Sequence, residues 1–233
     1  MKPKLVISWS SGKDSAWTLH LLRQQNEYEI TGLLTTVNQE FGRVAMHGVR
    51  REILQAQAAA AGLPLFEVPL PWPCSNQIYE ERMRIAVQRL VDDGVSVMAF
   101  GDLFLEDIRA YREEKLNGSG ITPIFPLWQR PTRELMQEML AGGLCARIAT
   151  LDPKRLPREF IGRELSLALL DELPAGCDPC AENGEFHTVA FAGPMFFGPI
   201  ALRAGEVVER EGFVYQDFMV DEDNQRVAPH PGG

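Results

Sequence analysis

Six consecutive residues, Ser10-Ser11-Gly12-Lys13-Asp14-Ser15, carry the chemistry needed to hold a polyphosphate. Ser, Ser and Gly are small enough to let backbone N–H groups approach phosphate oxygens, and Lys13 adds a full positive charge. A helix beginning there would leave unpaired N–H groups and a dipole that favour an anion. Ser15 or Asp14 could cap that helix, and Asp14 could help hold Mg²⁺. The loop is not a Walker A sequence: Ile7 stands where that pattern needs its first Gly, and Asp14 rather than Ser or Thr follows the lysine. The three glycines of a dinucleotide fingerprint are also absent. The plainest alternative is a polar strand–helix turn with a capping serine.

The flanking segments supply the scaffold such a loop requires. Strand-like runs at 4–8, 30–37, 65–70, 95–100, 121–125 and 144–151 alternate with helix-like stretches at 15–25, 49–61, 76–91, 105–116 and 132–140. Ala16, Leu19 and Leu22 recur at helical spacing, and Gly62 is a helix stop. Nearly continuous apolar strands between helices predict a parallel sheet covered on both faces. The loop then lies at the carboxyl end of the first strand, where such sheets bind ligands. From Asp171 onward the chain is rich in Gly and Pro, with β-patterned pieces at 188–192, 199–202, 206–210 and 213–220. The expected fold is thus α/β and Rossmann-like, with a small mixed C-terminal region. Its divisions are a nucleotide-binding domain at 1–150, a smaller substrate-side region at 151–220 and a frayed tail at 221–233.

Ser10 to Ser15 resembles the SGGKDS pyrophosphate loop of the N-type ATP pyrophosphatases, or adenine nucleotide alpha hydrolases, with Ser11 in place of the second Gly. Ser11 must therefore adopt the backbone angles a glycine would. Met46-His47-Gly48-Val49, Gly101-Asp102-Leu103-Phe104 and the run from Asp178 to Thr188, with its Glu-Asn-Gly-Glu-Phe-His-Thr segment, resemble the diphthine–ammonia ligase family, and the likeness extends from about Leu5 to Gly193. Residues 103–107 are closer to the shorter branch of that family, and Ala181 stands where a Gly is expected. The resemblance implies that Ser10, Ser11, Gly12, Lys13, Asp14 and Ser15 hold the phosphates of ATP. It sets Thr35, Thr36, His47 and Asp102 near the adenosine, and Asp14 on Mg²⁺. Lys13, Glu182, Glu185 and His187 become the catalytic groups, with Asn183, Gly184 and Thr188 on the second-substrate side. The implied reaction adenylylates a carboxylate, releases pyrophosphate and lets ammonia or another amine displace AMP. In the resembled family that carboxylate belongs to diphthine on a translation elongation factor.

Composition bounds the partners. Lys and Arg number 23 against 32 Asp and Glu, a formal net charge of −9, which argues against nucleic acid or an anionic membrane surface. RNA modification and a non-catalytic ATP-binding module are the other readings, and a homodimer is compatible with any of them. The apolar run near the N-terminus is too short for a secretory core, and no stretch approaches the ~18 apolar residues of a membrane span, so the expectation is a cytoplasmic protein. Cys177-x-x-Cys180 with His187 invites zinc, but no second cysteine pair at metal-ligand spacing accompanies it. The basic residues of 105–116 alternate with acids and read as helix ion pairs. Met195-Phe196-Phe197 reads as core or partner surface.

Overall fold

In a computed structural model, described for residues 1–44, 48–221 and 223, two sheets share one core. The strands of the first are β1 (Lys4–Ser8), β2 (Glu29–Asn38), β3 (Arg43–Val44), β4 (Leu65–Leu70), β5 (Val95–Ala99) and β6 (Thr122–Ile124). β1 pairs in parallel with β2 and β5, β2 with β4, and β5 with β6, while the short β3 turns back antiparallel along the end of β2. The helices are α1 (Lys13–Gln25), α2 (Arg51–Ala61), α3 (Asn76–Asp92), α4 (Glu106–Leu116), α5 (Thr132–Ala141) and α6 (Leu167–Glu172).

The central strand shows why the sheet is covered on both faces. Leu5, Val6 and Ile7 are all inaccessible to solvent. Leu5 and Ile7 join the core formed with Leu19 and Leu22 of α1 and Ile53 and Leu54 of α2. Val6 points the other way, to Met98 of β5 and Val87 and Leu90 of α3. Alternate side chains of one strand thus fill two separate apolar layers.

The second sheet contains β7 (Cys145–Leu151), β8 (Phe186–Ala192), β9 (Leu202–Arg210) and β10 (Phe213–Val220) in the order β8-β7-β10-β9, antiparallel throughout. β7 alternates with helices like the parallel strands before it, so its sequence gives no sign that it pairs here. Its partners lie downstream, and only their pairing reveals its sheet. The β-patterned piece at 199–202 is irregular apart from Leu202, whose strand runs on to Arg210. α6, capped by the Ser166 hydroxyl accepting from the Leu169 N–H, is an element the periodicity did not reveal. Asp217 on β10 ties the second sheet to the first, accepting from Arg43 at 2.9 Å and from Arg50 at 2.6 Å. Arg50 is therefore a tie between the two layers. Of the expected tail, 222 and 224–233 lie outside the described residues. Among the described residues no helix is long and apolar enough to cross a membrane.

Candidate active site

β1 ends at Ser8 and α1 begins at Lys13, so the loop of Trp9 to Gly12 sits at the carboxyl edge of the parallel sheet. Ser11 has a φ of 72°, the left-handed conformation normally left to glycine. Its hydroxyl is buried and has no hydrogen-bond partner among the described residues. Ser11→Gly should therefore relieve backbone strain and remove an unpaired polar atom. The expected result is a gain of about 1 kcal/mol in urea unfolding, with no loss of nucleotide affinity. Ala181 likewise adopts a φ of 61° where the sequence suggested glycine.

The loop is bonded to β8. The Ala190 N–H donates to the Ser11 carbonyl at 2.9 Å, and the Lys13 N–H donates to the Thr188 hydroxyl at 3.0 Å. A Cβ on Gly12 would stand 3.2 Å from the Thr188 carbonyl, a distance at which a neighbour would have to give. Within the loop, Ser15 donates to the Gly12 carbonyl at 3.1 Å, and its oxygen lies 3.3 Å from that of Ser10.

Lys13 is the electrostatic centre. Only 3% exposed, it donates from Nζ to Asp14 Oδ2 at 2.7 Å and to the Cys180 carbonyl at 2.5 Å. Burial works against its charge, but Asp14, Cys180 and Glu182 outweigh burial and hold the ammonium above its ordinary range. Asp14 Oδ1 is buried and has no hydrogen-bond partner among the described residues. Gly101, just beyond β5, admits this residue: a Cβ there would lie 3.1 Å from that of Asp14. A hard carboxylate oxygen left over beside this loop suits Mg²⁺, which takes one or two carboxylates plus phosphate oxygens. Among the described residues no cluster of three or more His, Cys, Asp or Glu forms a metal cage.

Above Lys13 lies the turn preceding β8. Asp178 organises it by accepting from the Cys180 N–H at 3.1 Å and the Glu182 N–H at 3.0 Å. Glu182 accepts from the Leu103 N–H at 3.2 Å, joining this turn to the end of β5. Burial, followed by the Asp14 charge, pushes its carboxyl up to about 7. Glu185 is 2% exposed; Oε1 accepts from the Asp178 N–H at 3.0 Å and Asn183 Nδ2 at 3.2 Å, while Oε2 has no hydrogen-bond partner among the described residues. Burial, helped by Lys13, pushes His187 down to about 4, so it is neutral at physiological pH.

These two shifts act oppositely on stability. Glu182 binds more protons folded than unfolded, so its contribution is complete below pH 4.5 and is lost as the pH rises through about 7. That of His187 is present above pH 6.5 and is lost as the pH falls through about 4. Glu182→Gln should flatten the decline between pH 5 and 7 in urea titrations.

Thr35 on β2 is buried with a hydroxyl that has no hydrogen-bond partner among the described residues, and Thr36 is half-buried. Asp102 receives a bidentate pair from Arg112 of α4, whose guanidinium also lies 4.4 Å from the Phe100 ring centroid. Arg112 thus departs from the intrahelical pairing read from sequence, whereas Arg109 does pair with Glu113 at 2.8 Å. His47 lies outside the described residues. Gly184 occupies the turn between Asn183 and Glu185 with a φ of 81°. Met195 and Phe196 are core, while Phe197 is 71% exposed. Burial pushes Cys177 up to about 11 and raises Cys180 further, so neither is a nucleophile at neutral pH. Sequence reasoning missed Gln57, Asp178 as a loop organiser and Arg112. Only the place of Asp178 in the quoted run pointed to any of them.

Two family models match the chain: the diphthamide synthase N-terminal domain over residues 3–122 and the diphthamide synthase C-terminal domain over 131–219. Among curated relatives, the diphthine–ammonia ligase of Bos taurus is 27% identical over 162 residues, covering 65% of this chain and 59% of the relative. That of Schizosaccharomyces pombe is 23% identical over 219 residues, 86% of this chain and 36% of the relative. That of Danio rerio is 34% identical over 123 residues, 50% and 46% respectively. The chain thus spans between 36% and 59% of the length of these relatives.

Proposed function

The chain belongs to the diphthamide synthase family, and we propose that it is an ATP-dependent amide-forming ligase working through an acyl-adenylate. A substrate carboxylate oxygen attacks the α-phosphorus of ATP, the bond to the β-phosphate bridging oxygen breaks, and pyrophosphate leaves. Ammonia then attacks the acyl carbon, AMP departs, and the nitrogen gives up a proton. The observation that carries this reading is the position of Lys13, whose ammonium bridges the phosphate loop and the Cys180 carbonyl of the acceptor-side turn.

Ser10 to Ser15 cradle the β- and γ-phosphates, and Lys13 neutralises charge that develops on departing pyrophosphate. Mg²⁺, held by Asp14 and the phosphates, would add further charge neutralisation there. Thr35, Thr36 and Asp102 flank the adenosine. On the other side, Asn183, Gly184 and Thr188 shape the acceptor pocket. The unpartnered Glu185 oxygen receives ammonia, Glu182 takes the proton, and His187 accepts a hydrogen bond. Diphthine on an elongation factor is the acceptor we assign. Residues 1–150 would then carry the nucleotide and 151–220 the acceptor side.

The test is product identity. With diphthine-bearing factor and an ammonium salt, the protein should release AMP and pyrophosphate in equal amounts with amide. ADP and phosphate as products would overturn the adenylylation.

A further inference from the structure

Gln57 sits on α2, one layer behind the phosphate loop, and its side chain is inaccessible to solvent. Its Nε2 donates to the Ser11 carbonyl at 2.9 Å and to the Ala190 carbonyl at 2.7 Å. Its Oε1 accepts from Trp9 Nε1 at 2.8 Å. Both amide hydrogens and the carbonyl are engaged, a complete pairing for a buried amide. The same Ser11 carbonyl also accepts from the Ala190 N–H.

Ser11 is the residue in the left-handed conformation, so its peptide is where the loop stores strain. In a trans peptide the carbonyl of one residue and the N–H of the next point in opposite directions. Two donors that hold the Ser11 carbonyl toward α2 and β8 therefore aim the Gly12 N–H the other way. That N–H faces the loop interior, where the Ser10 hydroxyl lies 3.4 Å away. A flipped peptide would present a carbonyl oxygen to an incoming phosphate in place of a donor. We infer that Gln57 is a positioning residue that keeps the Ser11–Gly12 peptide in its phosphate-binding orientation.

This inference rests on the phosphate-loop reading above and makes a selective claim. Loss of the Gln57 donors should weaken binding of the β- and γ-phosphates and spare the adenosine half of the ligand. Gln57→Met keeps the length and removes all three bonds; Gln57→Glu keeps the shape but sets a carboxylate against two carbonyl oxygens. Calorimetry with ATP and Mg²⁺, with inorganic pyrophosphate and with AMP reads the outcome. Both variants should lose at least tenfold in affinity for ATP and pyrophosphate and less than twofold for AMP. Trp9→Phe frees the Gln57 carbonyl while keeping a ring in the core, and should show the same selectivity at about threefold. It decides the matter if the Gln57 variants fail to fold. Unchanged ATP affinity in the folded variants, or equal loss for ATP and AMP, overturns the role of Gln57. A wild-type protein that binds neither ATP nor pyrophosphate instead removes the phosphate-loop reading itself.

Discussion

Replacing Lys13 by methionine should lower ATP–pyrophosphate exchange by about 10²–10³-fold, the usual cost of removing one preorganised electrostatic partner of a developing anion. Methionine keeps most of the volume of this 3%-exposed side chain and deletes only the ammonium. It also leaves the half-buried Asp14 without its ion-pair partner, a change that destabilises in its own right. The double change Lys13→Met with Asp14→Asn removes the stranded charge and should recover stability without recovering exchange. Exchange within a few-fold of wild type in the folded single variant would mean that the charge of Lys13 plays no part in pyrophosphate departure.

Glu182→Gln should act on the second half of the reaction. With its carboxyl at about 7, Glu182 is part-ionised at neutral pH, as the proton acceptor proposed above must be. A base works in its ionised form, so amide formation should climb as the pH rises through about 7. The glutamine variant should lose about 10²–10⁴-fold in amide formation, the range for a positioned proton acceptor. It should also lose the step near pH 7, while the ionisation of ammonia itself is common to both proteins. ATP–pyrophosphate exchange, which precedes proton removal, should change by less than about threefold if the two steps are separate. Equal losses in both half-reactions would make Glu182 a scaffold for the turn rather than the base.

The place of the loop between β1 and α1 was legible because its signal is local: six adjacent residues, one strand before and one helix after. The expectation for Ser11 was equally local, since a position shaped for glycine dictates φ whatever residue fills it, and 72° is what the chain adopts. Alternation of apolar runs with helices sufficed for the parallel layers, but β7 shares that alternation and pairs elsewhere. Sheet membership is a long-range property that no window of sequence contains. Gln57 was invisible for the same reason, as an ordinary glutamine among the alanines of α2 whose partners lie 46 and 133 residues away. Arg112 looked like a helix-surface cation because its spacing from acids is helical. The Asp102 carboxylate wins it by offering two oxygens to one guanidinium.

The bond from the Lys13 N–H to the Thr188 hydroxyl has a consequence for the order of events. That N–H belongs to the loop that would grip ATP, and the hydroxyl belongs to the strand that would meet the acceptor. A ligand on either side that shifts this donor–acceptor pair would link the two occupancies thermodynamically. The acceptor must then change the affinity for ATP by the same factor by which ATP changes the affinity for the acceptor. Thr188→Val should bring that factor toward one in paired titrations, leaving two ligands that bind without regard to each other.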